Sequence, residues 1–179
     1  ELGHPGGVGV RTDATAISAD GSTIGGETTY GGITKAFMWK DGTYTVLEHG
    51  YEGALESRVL DISGDGSLIV GISGDADDFE DGVIWSQAKD YAPVRLADFL
   101  DSAGVDRAGF EPRRINGVSE DGSTIVGHGY DPVTQLTWVG FIVRLWPLEG
   151  WADYSLHSDG RSADTGGFLG CVDVGDAPW

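Results

Sequence analysis

Cysteine is almost absent from this sequence, whose 179 residues include Cys171 alone. A single thiol excludes an intrachain disulfide and a multi-cysteine metal site, so packing must stabilise the fold. Basic residues are also scarce, because 11 Lys and Arg stand against 29 Asp and Glu and give a formal charge of -18. This charge would repel nucleic acid and anionic membrane surfaces. No apolar run reaches about 18 residues, which argues against a membrane-spanning helix.

Glycine, by contrast, is abundant, with 30 residues, and much of it belongs to an internal repeat. Three segments align without gaps on the pattern apolar-Ser-x-Asp-Gly-Ser-x-Ile-x-Gly. Their serines, Ser18, Ser63 and Ser119, lie 45 and 56 residues apart. Propeller blades of four strands repeat at about 40 to 50 residues. The sequence therefore predicts an all-β fold built from repeated four-stranded, propeller-like blades.

Each copy of the motif predicts a tight hairpin. Asp-Gly pairs favour a type I′ turn, in which both central residues need positive φ. The serine hydroxyls should bond to the backbone around each turn. A second, aromatic-bearing strand follows, and Asp41 with Gly42 predicts the turn into a fourth strand of the first copy. The apolar residues flanking each turn should face the core together, as the pairs Ile17 and Ile24, Ile62 and Ile69, and Val118 and Ile125.

One stretch departs from the β pattern. Within residues 94–103, Leu96, Phe99 and Leu100 have i, i+3, i+4 spacing, and Gly104 follows as a stop signal. The spacing predicts one short helix inserted before the third repeat.

The order Ala-Ile-Ser-x-Asp-Gly-Ser, then Ala-Phe-x-Trp and Asp-Gly, resembles the extracellular HAF repeat of bacterial secreted and autotransporter-associated proteins. The resemblance covers about residues 1–145, and residues 2–7 are similar to the phrase that closes a preceding unit of that family. It implies that Glu1 lies inside a longer array. It also implies an extracellular, periplasmic or outer-surface location in a Gram-negative bacterium, but it carries no activity that can be transferred.

Two regions are expected on this basis. A β repeat domain covers residues 1–145, and an aromatic, Gly- and Asp-rich segment covers residues 146–179.

Three blades cannot close a ring of the usual four to eight. Further blades would have to precede them, or the units would stack openly as a sandwich or solenoid, or several copies would assemble. An open row exposes strand edges, which favours a protein partner or self-assembly. The repeats lie at about 14–50, 59–100 and 114–145.

Candidate metal chemistry is concentrated in one acidic run. Its carboxylates repel one another, and a hard cation such as Ca²⁺ would relieve that repulsion. The run departs from the EF-hand pattern because Glu80 stands where glycine is required. A solvated loop and a Ca²⁺ site therefore both remain open, and no other cofactor and no catalytic residue is predicted. The candidate ligands are Asp75, Asp77, Asp78, Glu80 and Asp81.

Four aromatic residues near the C-terminus are candidate binding residues. Aromatic rings stack on sugars and dock on protein partners, and they also fill cores or cap the open end of a β array. All three roles remain open for this group, which consists of Trp146, Trp151, Tyr154 and Trp179.

Repetition without a catalytic motif indicates a non-catalytic extracellular interaction or scaffold module, either displayed at a surface or forming a peripheral subunit of a larger assembly. One alternative is a polysaccharide-acting hydrolase or lyase, and another is a carbohydrate-binding domain. Glycoside hydrolysis would need two carboxylates about 5 to 9 Å apart in a groove.

Overall fold

The computed structural model describes residues 10–75 and 80–145, and the backbone of residues 168–173. These residues form an array of β-sheets with one inserted α-helix, which confirms the predicted all-β class. We divide the strands into three groups of four in chain order, units 1 to 3. Unit 1 contains β1 (Arg11–Ile17), β2 (Thr23–Tyr30), β3 (Ile33–Lys40) and β4 (Thr43–Val46); unit 2 contains β5 (Glu56–Ile62), β6 (Leu68–Gly74), β7 (Glu80–Ser86) and β8 (Pro93–Arg95); unit 3 contains β9 (Glu111–Val118), β10 (Thr124–Asp131), β11 (Leu136–Arg144) and β12 (Phe168–Asp173).

Units 1 and 2 are antiparallel meanders of four strands, as the repeat predicts. In these two units each strand pairs with the next one in the chain, so both can form from local contacts. One parallel bridge, between Thr34 and Glu56, joins the two meanders into a single sheet.

Unit 3 differs from the predicted pattern in its fourth strand. The stretch that matches the repeat supplies the antiparallel strands β9 to β11, whereas β12 comes from the C-terminal segment and pairs with β11 in parallel. A return strand directly after β11 would need a tight turn. The six residues that directly follow Arg144, residues 145–150, contain no Asp-Gly pair like the one that turns unit 1.

The three units stack face to face, with unit 2 in the middle. Side chains alternate along its strands, so Ile69, Val83 and Trp85 pack toward unit 1. Their neighbours Leu68, Val70 and Ile84 belong to a second core shared with unit 3. Every residue of β6 is buried, because both faces of unit 2 are covered.

The predicted helix is confirmed as α1, Leu96–Ser102. Its buried residues are the three that the spacing singled out, Leu96, Phe99 and Leu100, and they lie in the core between units 2 and 3. The helix ends before Gly104, whose φ of 77° suits glycine.

The prediction of type I′ geometry at the motif turns is wrong. Of the Asp-Gly pairs in the repeat, only the glycines have positive φ, with values of 72°, 69° and 71° at Gly21, Gly66 and Gly122. The N–H of Gly21 donates to the Ser18 carbonyl, so Asp20 occupies the i+2 position of an ordinary β-turn. Type I′ geometry instead joins β3 to β4, where Asp41 and Gly42 both have positive φ, at 51° and 81°.

The glycine that closes each motif is required by a β-bulge. The pairing register shifts opposite this residue in every unit, for example between Val59 and Asp61 of β5. The bulge brings a carbonyl oxygen against the glycine, and a Cβ on Gly71 would lie 1.9 Å from the oxygen of Arg58. The equivalent distances at Gly26 and Gly127 are both 2.0 Å.

Candidate interaction surfaces at the two ends of the array

Each unit has a leading face, which packs on the unit before it, and a trailing face, which receives the unit after it. Repeat alignment and strand register place equivalent residues on equivalent faces. The described packing partners of unit 1 all lie in unit 2, and those of unit 3 lie in unit 2 and α1. Two faces are therefore left without a described unit against them, the leading face of unit 1 and the trailing face of unit 3. The leading faces contain Ala14, Ile17, Ile24, Phe37 and Trp39 in unit 1, Val59, Ile62, Ile69, Val83 and Trp85 in unit 2, and Ile115, Val118, Ile125, Phe141 and Val143 in unit 3.

The residue directly before the motif serine is exposed on the open leading face and buried on a covered one. Ile62 of unit 2 is 5% exposed, whereas Ile17, in the same place in unit 1, is 61% exposed. Ala14 is exposed while its equivalents Val59 and Ile115 are fully buried. The local fold around the two isoleucines is the same, and they differ in that unit 1 packs on Ile62 whereas no unit of the described part of the chain packs on Ile17.

The aromatic residues of the leading faces show the same contrast. Trp85 of unit 2 is fully buried, and its indole N–H donates to the Glu48 carbonyl of unit 1 at 3.1 Å. Trp39, its equivalent in unit 1, is only partly buried and has no such carbonyl among the described residues. Phe37 is covered within its own unit by the ring of Tyr44, which stacks on it at 4.8 Å.

The trailing face of unit 3 is open at the other end. Val126 is 40% exposed, whereas its equivalent in unit 2, Val70, is fully buried against unit 3. Ile142, the equivalent of Ile84, is only partly buried. Both ends of the array therefore present apolar side chains of a kind that the interior interfaces bury.

A polar network crosses the trailing face of unit 3. Glu80 of unit 2 binds Arg114 at 3.2 Å, and the Arg114 Nε donates to Asn116 at 3.1 Å. Asn116 contacts His128 Nδ1 at 3.1 Å, and the His128 ring lies 4.3 Å from the ring of Trp138. Burial, with the nearby Arg114 charge, lowers the pKa of His128.

Trp138 is the most exposed aromatic residue of this face, at 74%. Its φ of 72° is unusual for a side chain of this size. It lies beside the register shift between Gly129 and Tyr130, which turns its ring toward His128.

The predicted acidic cation site is divided by the start of β7. Glu80 and Asp81 are the first residues of this strand, so they point to opposite faces and meet different cations. Glu80 binds Arg114, and Asp81 lies 3.6 Å from Arg95. Burial raises the pKa of Asp81.

The other three members of the acidic run are not seen to complete a cation site with Glu80 or Asp81 in the part of the chain that the structure describes. Asp75 follows β6, whereas Asp77 and Asp78 lie outside the described residues. Within residues 10–75 and 80–145, no three His, Cys, Asp or Glu side chains converge as metal ligands. The four candidate aromatic binding residues, Trp146, Trp151, Tyr154 and Trp179, also lie outside the described part of the chain.

The motif aspartates hold the turns, and the predicted backbone role of the serines is confirmed. The Ser18 hydroxyl donates to Asp20 at 2.6 Å and accepts the Thr23 N–H at 2.9 Å. Units 2 and 3 repeat this arrangement. The serine hydroxyl and the following N–H lower the pKa of Asp20 and of Asp121 to about 2.

The sequence prediction did not identify the two open faces. The repeat alignment contains the equivalences that define these faces, because Ile17 aligns with Ile62 and Val126 aligns with Val70. Pairing register was needed to show that these residues face different neighbours.

Comparison with protein-family models finds no match for this sequence, and comparison with curated proteins finds none either. Among solved structures, putative TolB from Agrobacterium tumefaciens is similar over 68% of this chain and 39% of its own, with 19% sequence identity and a TM-score of 0.47. TolB from Acinetobacter baumannii is similar over 73% of this chain and 29% of its own, with 14% identity and a TM-score of 0.42. The chain thus spans well under two thirds of the length of either protein.

Proposed function

We propose that this chain is a non-catalytic protein-interaction module, an arc of three propeller-like blades that binds protein through the open faces at its two ends. One observation carries the proposal: Ile17 is 61% exposed where the equivalent Ile62, with a unit packed against it, is 5% exposed. The molecule itself shows what covers such a face, because two of the three leading faces that the structure describes are covered by another β unit.

The energetics support a protein partner. Full burial of an isoleucine side chain stabilises an interface by about 1.5 to 3 kcal/mol. An open face offers several apolar residues together, and contiguous apolar surface of this kind marks interaction sites. The excess of acidic residues argues against nucleic acid as the partner.

We further propose an extracellular, periplasmic or outer-surface location in a Gram-negative bacterium, as the HAF resemblance implies. In the described part of the chain, no helix has the length and apolar character needed to cross a membrane.

Glycan binding is a second candidate, favoured by the exposed Trp138 ring beside the Asn116 and His128 side chains. Exposed indole rings stack on sugars, and neighbouring amides bond to their hydroxyls. A glycan array with wild type and Trp138→Ala tests it: binding that is lost in the variant supports a sugar site, and equal or absent binding contradicts it.

Site-specific photocrosslinking tests the interaction function. A benzophenone amino acid at position 17, installed in cells of the source organism, should give a protein adduct whose identity mass spectrometry reads directly. Position 133 is the matched control, because Val133 is an exposed apolar residue, at 81%, in the loop between β10 and β11 and not on a strand of either open face. Equal adduct formation at the two positions, or none at position 17, would contradict the proposal.

A further inference from the structure

We propose that two copies of this chain close head to tail into a ring formed by the three described units of each, with the leading face of unit 1 in each copy packed on the trailing face of unit 3 in the other. This inference rests on the proposed interaction function and names its partner. Six blades fall within the usual four to eight of a closed ring, and a two-fold axis relates the two junctions.

Where one open face has a larger apolar side chain than the interior junction between units 1 and 2, the other open face has a smaller one. Between units 1 and 2, Gly25 faces two large residues, since a Cβ there would lie 2.7 Å from Val59 and 3.0 Å from Ile62. At the open junction the equivalent of Gly25 is Val126, and the equivalents of Val59 and Ile62 are Ala14 and Ile17. The larger Val126 on one side therefore meets the smaller Ala14 on the other, which keeps the packed volume similar.

The junction between units 2 and 3 confirms which residues meet. Val70, the equivalent of Val126, lies in one core with Ile115, and Val118 packs against that core. Ile115 and Val118 are the equivalents of Ala14 and Ile17. Both interior junctions therefore pair the same three positions that a second copy would bring together.

The polar residues at the open junction can also pair, with the acidic residue on the opposite side from that of the interior junction. Between units 1 and 2, Arg58 of the following unit binds Glu27 of the preceding unit at 2.9 Å. At the open junction the position of Arg58 is Asp13, and the position of Glu27 is His128. The carboxylate of one copy thus meets an imidazole of the other, whose N–H can donate a hydrogen bond to it, and Arg114, which pairs with His128 across the strands, supplies a positive charge beside it. Asp13 binds Arg11 of its own strand at 2.6 Å, and its side chain is still 41% exposed, so a second donor can reach it.

The motif turns form a main-chain ladder that a second copy would extend. Asp20 N–H donates to the Gly64 carbonyl at 3.2 Å, and Gly64 N–H donates to the Glu120 carbonyl at 2.7 Å. Within the described residues, the Ala19 carbonyl at the start of this ladder and the Glu120 N–H at its end make no main-chain bond. The acceptors Gly64 and Glu120 are equivalent to Ala19, whereas the donors differ by one position, Asp20 in unit 1 and Gly64 in unit 2. Head-to-tail closure places the N–H groups at the corresponding positions of unit 3, Glu120 and Asp121, next to the Ala19 carbonyl.

Sedimentation equilibrium of the purified full chain tests the inference. We expect a mass of twice the chain that does not rise further up to about 100 µM, a range that covers micromolar dissociation constants. Ile17→Asp should weaken dimerisation by at least about tenfold, because it places a charge in both apolar junctions. Val133→Asp, the matched control, should leave the dimer unchanged. Circular dichroism verifies the fold of each variant.

A charge swap tests the pairing itself. Asp13→Arg alone and His128→Glu alone should each weaken the dimer. A mixture of the two variants should restore it, because one junction then pairs the two substituted side chains, which carry opposite charges, and the other junction is wild type. A wild-type monomer, open oligomers whose mass grows with concentration, or no recovery in the mixture would overturn the inference.

The photocrosslink at position 17 separates the two proposals. An adduct between two copies of the chain supports both, and an adduct with a different protein supports the interaction function while overturning the ring. Absence of any protein adduct counts against both.

Discussion

Ile62 and Ile17 offer a direct measurement of what a neighbouring unit contributes to stability. The two residues precede the same turn in the same motif and pair with equivalent isoleucines across their hairpins. They differ in burial, at 5% and 61% exposure. Replacing each with alanine removes the same atoms, so the difference between the two changes reports the packing of unit 2 on unit 1.

The structure gives the size of the expected difference. A buried Ile→Ala change costs about 2 to 5 kcal/mol, and Ile62 should lie in the middle of that range. Ile17 keeps roughly two fifths of its surface buried, and its replacement should cost about 1 kcal/mol or less. A gap of about 2 kcal/mol corresponds to about 4 to 8 °C in melting temperature for a chain of this size.

Thermal and urea unfolding followed by circular dichroism would measure the gap. The protein should be kept near 1 µM, so that association does not bury Ile17. Val133→Ala is the control and should change stability by no more than about 0.5 kcal/mol. Equal costs for Ile62→Ala and Ile17→Ala would refute the assignment of covered and open leading faces. If the ring forms, the cost at Ile17 should grow with protein concentration.

Three further outcomes follow from the same geometry. Gly71→Ala should destabilise the protein by at least about 2 kcal/mol, because its Cβ would lie 1.9 Å from a backbone oxygen, whereas Gly140→Ala, with its nearest atom at 3.9 Å, should be close to neutral in a thermal melt. Asp121→Asn should lower the melting temperature at neutral pH. Since the pKa of Asp121 falls from 3.8 to about 2 on folding, the stabilisation is present above pH 3.8 and lost toward pH 2, and the deficit of the variant should shrink over that interval. Because Glu80 and Asp81 point to opposite faces beside arginines, millimolar Ca²⁺ should leave the melting temperature within error of that in chelator, and a clear rise would show that the acidic run binds the ion.

The repeat architecture and the helix could be predicted because their signals are local. Motif spacing located the hairpins, and the spacing of Leu96, Phe99 and Leu100 located α1. The turn type was predicted wrongly because Asp-Gly is compatible with two geometries. The chain adopts the one in which Ser18 and Asp20 bond to each other and to the loop backbone, so that Asp20 need not take a positive φ.

Features that depend on pairing register could not be predicted in the same way. The acidic run looks continuous in sequence, but β7 begins at Glu80 and strand alternation sends Asp81 to the other face. The parallel partner of β11 comes from a segment that matches no repeat. Predicting the open faces would require knowing which side of each hairpin packs on the preceding unit and which on the following one. The alternation of side chains along a strand shows that there are two sides, but it does not show which neighbour each side meets.

Charge and apolar surface have separate roles in this molecule. A formal charge of -18 repels other copies at long range, and this repulsion opposes contacts in arbitrary orientations. Ala14, Ile17, Ile24 and Trp39 on the open leading face are all apolar, so close approach there removes apolar area from water. Asp13 lies on the adjoining strand edge, where its match to His128 or to another base would select the register. Charge repulsion over the rest of the surface and apolar contact at the open faces together favour association through the two ends of the array. In that orientation, unit 1 of one copy packs on unit 3 of the other.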